Sequence, residues 1–194
     1  MNQLPNLISI SGAISSGKDE VAKMIQQRQA DFGGMPHVIK RFAGKLKIIA
    51  GVLLGVSQTK LEDREFKESY LPDFDMTVRR FLQLVGTNCL RSGLHEDIWV
   101  MSLFREFDDS SRWIIPDARF ANEINAIKSR GGVCIRVDRP ELAEDNHNSE
   151  VEWRTLPFDY VINNSGSLDD LRTQVQQMLE YFGKRENWFK DLHR

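Results

Sequence analysis

Residues 7–19 read LISISGAISSGKD, and this stretch decides the fold of the chain. An apolar run at 7–10 leads into the glycine-rich residues 12–19, and apolar residues at helical spacing follow to about residue 28. A strand, a glycine-rich loop and a helix in this order are typical of a phosphate-binding loop. Its backbone N–H groups and the start of its helix point at phosphate oxygens. The sequence therefore predicts a nucleotide-binding site here.

The spacing G-x-x-x-x-G-K matches this class of loop, with one departure at its end. Lys18 would place a positive charge near the β- and γ-phosphates, but Asp19 stands where a Ser or Thr hydroxyl normally binds magnesium. Magnesium would then be held by Asp19 or by another carboxylate. The alternative interpretation is a chance match in a flexible N-terminal loop. The residues predicted to bind the nucleotide are Gly12, Ser15, Ser16, Gly17, Lys18 and Asp19.

Composition narrows the class of protein. The 194 residues carry a formal net charge of −2, which argues against a nucleic-acid binder that works through a broad basic surface. The apolar runs are too short to cross a bilayer, and residues 1–11 show no secretory signal. Cys89 and Cys134 lie in apolar periodic stretches and are expected to be reduced core residues. We expect a cytoplasmic protein with no nucleic-acid polymer and no membrane as partner.

Strand and helix patterns alternate along the chain. Strands are predicted near 7–11, 37–42, 113–116, 133–137 and 160–162, with helices between them and a last helix from about 168. This alternation predicts an α/β fold of three layers, in which about five mostly parallel strands have helices on both faces. We expect one domain over residues 1–194, with a helical acceptor-binding insertion at about 44–110, where Asp75 would cap a long helix, and a lid at about 139–157.

Several polar residues follow the predicted strands, at the edge of the sheet where ligands bind in such folds. Asp117 follows a buried strand and would hold magnesium directly or through water, or else would cap the next helix. Arg119 would bind an acceptor phosphate, or else form a surface ion pair. Arg139 and Asn164 also follow strands, so they would share the same cleft.

Two further segments carry side chains suited to an acceptor. Arg80, Gln83 and Thr87 lie at i, i+3 and i+7 of a predicted helix, so they would share one face on which Arg80 binds a phosphate and Gln83 reads a base edge. A solvated helix face is the alternative. Residues 139–154 contain three basic residues and would close over the site, or else form an ordinary loop. Those residues are Arg139, His147 and Arg154.

Taken together, the motifs resemble the bacteriophage deoxynucleoside monophosphate kinases, in the family's order and over most of the chain. The S-G-K-D ending of the loop is itself a trait of that family. The matching segments are Ser11-Gly12, Ser16-Gly17-Lys18-Asp19, Phe42-Ala43-Gly44 with Lys47, Arg79-Arg80, Gln83, Gly86-Thr87, Trp99-Val100, Ile115-Pro116-Asp117-Ala118-Arg119, Arg139-Pro140, His147, Glu150 and 162–168.

The resemblance implies transfer of the γ-phosphate of ATP to a deoxynucleoside 5′-monophosphate, with Mg²⁺, by a nucleoside-monophosphate-kinase-like fold with a core, an acceptor lobe and a lid. It implies that the acceptor contacts Lys47, Arg80, Gln83, Thr87, Asp117 and Arg119, and that Asn164 belongs to the nucleotide site. The chain is shorter than some relatives between 55 and 75, so base specificity stays open, as does a homodimer.

Two other functions fit the same loop. Animal-type phosphomevalonate kinases share the S-G-K-D loop and a strand that ends in Asp-x-Arg, and a nucleotide-binding switch protein would need no acceptor. Gln83 and the arginine-bearing segments favour a kinase over a switch. The predicted mechanism is in-line transfer, with Lys18, Arg119 and Arg139 as catalytic residues and Asp19 and Asp117 as magnesium ligands. No general base is needed, because a phosphate oxygen is already an anionic nucleophile.

Overall fold

The computed structural model describes residues 4–31, 35–108, 110–140 and 155–192. The chain divides into two compact units, of which the first comprises Met1–Lys40 with Asp108–Arg194 and the second is Arg41–Phe107. The strands are β1 (Leu7–Ser11), β2 (Val38–Ile39), β3 (Tyr70–Leu71), β4 (Met76–Thr77), β5 (Trp113–Ile115), β6 (Val133–Asp138) and β7 (Tyr160–Asn163). The helices are α1 (Lys18–Asp31), α2 (Ala43–Leu54), α3 (Arg64–Glu68), α4 (Val78–Gln83), α5 (Ile98–Phe104), α6 (Ala121–Lys128) and α7 (Leu168–Leu192).

The first unit is built on a five-stranded sheet in the order β2-β5-β1-β6-β7. Every neighbouring pair in this sheet is parallel, so the predicted α/β class is confirmed. All five residues of β1 are buried, as expected for the central strand of a sheet covered on both faces. Because β5, β1 and β6 are neighbours that run parallel, the segments that follow these three strands begin at the same end of the sheet.

The two faces of the sheet pack against different helices. Ile8 and Ile10 belong to a core cluster that includes residues of α1 and α7. Leu7 points to the opposite face, since side chains alternate along a strand. On that face a Cβ on Gly132 would lie 3.0 Å from Leu7 Cγ and 2.7 Å from Ile127 Cγ2 of α6. The predicted helices on both faces are therefore present.

The second unit has a smaller core, in which Ala50, Leu61, Val78 and Phe81 are buried. Its antiparallel hairpin, β3 with β4, was not predicted, because strands of two residues give no periodic signal. The hairpin also shows that the predicted cap at Asp75 is wrong. Asp75 has a left-handed backbone (φ 50°) in the turn before β4, and Thr77 Oγ1 instead accepts the Arg80 N–H at 3.2 Å.

The long helix predicted over 78–89 is α-helical only in its first part. Helix α4 ends at Gln83 and passes into a π-helical segment, Leu84–Ser92, whose turns hold more residues than those of an α-helix. Cys89 is exposed there, so the prediction that it is a core residue is wrong. Cys134 is buried as predicted, and burial raises the pKa of its thiol to about 11. No helix within the described residues is long and apolar enough to span a membrane.

Candidate nucleotide-binding site

The loop between β1 and α1 has a backbone that only glycine tolerates at two positions. Gly12 and Gly17 have φ of 155° and 99°. A Cβ on Gly12 would lie 2.4 Å from the Val137 carbonyl oxygen, and one on Gly17 would lie 2.5 Å from Asn164 Nδ2. A side chain at Gly12 would collide with the backbone of β6, and one at Gly17 would displace the Asn164 side chain. Between them Ser15 is exposed and has a left-handed backbone, with φ of 64°.

Lys18 lies buried against its own loop. Its Nζ donates hydrogen bonds to the carbonyl oxygens of Gly12 at 2.8 Å and Ala13 at 2.5 Å. Burial, together with the nearby charge of Arg119, lowers the pKa of Lys18 to about 8, although Asp19 and Asp117 oppose the shift. An anion beside this ammonium group would stabilise its charged form.

Asp117 and Arg119 are far from Lys18 in sequence, but both affect its pKa. Asp117 and Arg119 follow β5, which pairs with β1 through the register Leu7↔Trp113 to Ser9↔Ile115. Both side chains act on the Lys18 ammonium group. The carboxyl ends of the two strands thus assemble a lysine, a carboxylate and a guanidinium, which is the arrangement that the strand-end argument predicted.

The turn that carries Asp117 and Arg119 is held from two sides. Ser11 Oγ donates to the Ala118 carbonyl at 2.7 Å. On the other side Glu123 Oε2 accepts the backbone N–H groups of Arg119 at 2.8 Å and Phe120 at 3.3 Å. Sequence reasoning missed Glu123, although a glutamate in the first turn of a helix after a strand is a recognisable capping signal.

Asn164 joins the last strand to the phosphate-binding loop. Its Nδ2 donates to the Ser16 carbonyl at 2.9 Å, and its backbone N–H donates to the Asp138 carbonyl at 2.7 Å. The buried Ser16 Oγ has no hydrogen-bond partner in the part of the chain that the structure describes. A buried hydroxyl without a partner is uncommon, and a phosphate oxygen would satisfy it. The loop therefore fits a nucleotide phosphate.

The remaining predicted residues of the first unit are exposed. Asp19 lies in the first turn of α1, and Arg139 directly follows β6. Carboxylate oxygens suit Mg²⁺, so Asp19 and Asp117, which both act on Lys18, fit this ion chemically. Within the described residues, no three His, Cys, Asp or Glu side chains form a metal-binding group. Most of the predicted lid, with His147 and Arg154, lies outside the described residues.

In the second unit, Lys47 is already ion-paired. Its Nζ donates to Glu62 Oε1 at 2.6 Å, and the Lys67 Nζ lies 3.9 Å from the other oxygen of that carboxylate. Lys47 is only 9% exposed, so Glu62 is the partner that compensates its buried charge. An acceptor phosphate at Lys47 would compete with this ion pair.

The predicted acceptor-reading face divides at the end of α4. Arg80 is exposed and Gln83 half-buried, and both belong to α4, where residues three apart are neighbours. Thr87 lies in the π-helical segment, so the α-helical spacing that linked it to the other two does not extend to it. The spacing argument therefore applies to Arg80 and Gln83 alone.

A phosphate-binding loop after the central strand of a parallel sheet, with its lysine beside Asp117 and Arg119, defines a P-loop nucleotide-binding protein with a kinase-like fold. The family model for deoxynucleotide monophosphate kinase matches residues 55–175, which is more than half of the chain. The chain belongs to this family, and it is a phosphotransferase. The predicted resemblance is confirmed.

Individual relatives agree with the family. A protein of Acanthamoeba polyphaga mimivirus named "Putative deoxynucleotide monophosphate kinase" is 33% identical over 189 residues, covering 87% of this chain and 93% of that protein. The deoxynucleotide monophosphate kinase of Enterobacteria phage T4 is 29% identical over 110 residues, covering 54% of this chain and 46% of the phage protein. That of Escherichia phage RB69 is 25% identical over 109 residues, covering 53% and 45%. The family therefore favours the kinase over the phosphomevalonate and switch alternatives.

Proposed function

We propose that this chain transfers the γ-phosphate of ATP to a deoxynucleoside 5′-monophosphate and releases the diphosphate. The observation that carries the proposal is the grouping of Lys18, Asp117 and Arg119 at the carboxyl ends of β1 and β5. Membership in the deoxynucleotide monophosphate kinase family supports the acceptor class. The mimivirus relative, which is matched over 93% of its own length, supports it further.

On the ATP side, Lys18 and the loop amides bind the β- and γ-phosphates. Phosphoryl transfer spreads negative charge over the moving group, and fixed donors in a site of low dielectric stabilise that charge strongly. The buried Lys18 ammonium group is such a donor, and its two hydrogen bonds to loop carbonyls hold it against the phosphate-binding loop. Ser16 Oγ offers one further donor to a phosphate oxygen.

Magnesium fits the carboxylates of Asp19 and Asp117. When bound, the ion would neutralise part of the charge on the phosphates. Asp19 adjoins Lys18 in sequence, and Asp117 acts on the same ammonium group, so both carboxylates belong to the phosphate end of the site.

In the first unit, we assign the acceptor phosphate to Arg119 and Arg139. In the second unit, taken by itself, the residue suited to a phosphate is the exposed Arg80. Guanidinium groups bind phosphate through two parallel hydrogen bonds, which fixes the direction of the attacking oxygen. Gln83 reads the base, and the remaining acceptor contacts are Lys47, Thr87 and Asp117. The acceptor phosphate is itself the nucleophile, so no side chain has to remove a proton.

The test is ADP release from ATP across deoxynucleoside monophosphates, ribonucleoside monophosphates and phosphomevalonate. We expect ADP only with nucleoside monophosphates, with the deoxynucleotides preferred. ADP formed with phosphomevalonate alone, or at one rate without regard to any acceptor, would contradict the proposal. Omitting magnesium from the same assay should abolish the reaction.

The proposed partners are small molecules, ATP and the acceptor nucleotide, with no nucleic-acid polymer and no membrane. The relatives come from a virus and two phages, which supports action in the cytoplasm of a host cell. A homodimer stays a prediction, and light scattering on the purified protein would test it.

A further inference from the structure

We propose that Glu123 is a positioning residue for phosphoryl transfer, which acts by holding the backbone of the 117–120 turn. This inference rests on the proposed function, because its effect is measured on the transfer reaction. Glu123 itself touches neither substrate in this proposal. It acts through Arg119, whose guanidinium group binds the acceptor phosphate.

Glu123 makes one hydrogen bond more than the capping of its own helix requires. Helix α6 begins at Ala121 and is capped at Phe120, so the bond from Phe120 N–H to Glu123 Oε2 is an ordinary capping contact. The shorter bond, at 2.8 Å, comes from Arg119 N–H, which lies outside the helix. One carboxylate oxygen therefore ties the residue that carries the guanidinium group to the first turn of α6.

Burial gives this contact its strength. Glu123 is only 2% exposed, and a buried carboxylate is costly unless hydrogen bonds compensate it. From the opposite side, Ser11 Oγ holds the Ala118 carbonyl of the same turn. The turn between β5 and α6 is thus held at Ala118, Arg119 and Phe120.

A loosened turn would move two functional groups at once. Asp117 and Arg119 both act on the Lys18 ammonium group, so their backbone position determines the charge arrangement at the phosphates. A misplacement of about 1 Å can lower a rate about a hundredfold. We therefore expect Glu123 to affect catalysis more than its contribution to stability would explain.

Three substitutions separate a hydrogen-bonding role from a role of charge. Glu123→Gln keeps an acceptor oxygen at the same reach and removes the charge. Glu123→Asp keeps the charge on a shorter side chain, and Glu123→Ala removes both. We expect kcat/KM for the acceptor to fall about 10- to 100-fold in the Ala and Asp variants, while the Gln variant retains at least about ten times the Ala value and KM for ATP stays within about threefold.

The order of the variants decides the inference. A Gln variant that is better than the Asp variant supports positioning through hydrogen bonds. An Asp variant equal to or better than the Gln variant means that the charge itself acts, and overturns the inference. Unchanged kinetics in the Ala variant overturn it as well. A wild-type protein that releases no ADP with any nucleotide would instead refute the proposed function.

Asp159→Ala is the matched control for simple destabilisation. Asp159 Oδ2 likewise accepts a backbone N–H, that of Cys134 at 2.8 Å. Asp159 lies directly before β7, at the amino ends of the strands, whereas the site lies at their carboxyl ends. We expect Asp159→Ala to lower the thermal midpoint without changing kcat/KM for the acceptor. An equal kinetic loss in both Ala variants would mean a global effect and would overturn the inference.

Ser11→Ala tests the same turn if Glu123→Ala does not fold. It removes only the bond to the Ala118 carbonyl and leaves the cap of α6 intact. We expect kcat/KM for the acceptor to fall about 3- to 10-fold, with a small change in KM for ATP. Full activity in a folded Ser11→Ala protein would contradict the proposed dependence on this turn.

Discussion

The two units hold their functional side chains in different ways. In the first unit, bonds between residues far apart in sequence fasten the site, such as Asn164 to the Ser16 carbonyl, and Glu123 holds the Arg119 N–H. In the second unit, Arg80 is exposed, and Lys47 is bound to Glu62 rather than to backbone. Contacts within the chain therefore fix the site of the first unit, whereas under the proposed function an acceptor phosphate at Lys47 would replace Glu62 as its anionic partner.

This difference predicts two kinds of mutational effect. Substitutions in the preorganised loop should slow transfer to every acceptor, because fixed charges act on the transition state itself. Substitutions in the second unit should change how strongly an acceptor binds and which acceptor is preferred. Kinetic measurements on both units, from the largest expected effect to the smallest, would separate or merge these two kinds.

Lys18→Ala should lower turnover by a factor on the order of a hundred or more with every acceptor. The reason is loss of a buried positive charge where negative charge develops in the transition state. Steady-state ADP release measures the effect, and circular dichroism checks that the variant is folded. Near-normal turnover in a folded variant would show that this loop does not bind the phosphates of ATP.

The pH dependence of the wild-type protein should reflect the same lysine. The pKa of Lys18 is lowered to about 8, and the cation is the form that binds phosphate, so kcat/KM for ATP should be level below that pH. Above it, kcat/KM should fall about tenfold per pH unit as the cation is lost. In Lys18→Arg this fall should disappear, because a guanidinium group stays protonated. A wild-type profile that is flat to about pH 10 would contradict this assignment.

Arg80→Ala should weaken all phosphorylated acceptors alike, by roughly 1.5–3 kcal/mol for one charge-assisted hydrogen bond. That is about a 10- to 150-fold fall in kcat/KM for the acceptor, with ATP affinity nearly unchanged. Arg79→Ala is the matched control, since Arg79 donates to Glu68 at 2.7 Å on the neighbouring position. Equal effects of the two substitutions would mean that Arg80 acts through the fold and not through the phosphate.

Gln83→Ala should change the ranking among bases and leave the phosphate contact intact. An amide paired with a base edge contributes about 1–3 kcal/mol when its loss leaves a partner unsatisfied. The measurement is kcat/KM for each of the four deoxynucleoside monophosphates in the variant and the wild type. An unchanged ranking would make this part of α4 a solvated surface, and base reading would have to lie elsewhere in the second unit.

The sequence was sufficient for those parts of the protein that rest on local or periodic signals. Residues 12–18 specify a phosphate-binding loop because their glycines permit its backbone, and alternating strand and helix patterns specify a parallel sheet. Since the carboxyl ends of parallel strands share one edge, the sequence alone could place Asp117 and Arg119 beside Lys18. The order of the motifs along the chain was enough to indicate the family.

Only the tertiary structure decided features that depend on contacts between distant residues. No periodic signal in the sequence indicates which strands neighbour β1. The same is true of the hydrogen bonds by which Glu123 and Ser11 hold one turn, and of the bond from Asn164 to the loop. In the second unit the β3–β4 hairpin has no periodic signal, and the π-helical segment interrupts a helical pattern that is continuous in sequence over 78–89. Local signals specify elements, but the position of a side chain between elements is determined by packing, which couples residues irrespective of their separation along the chain.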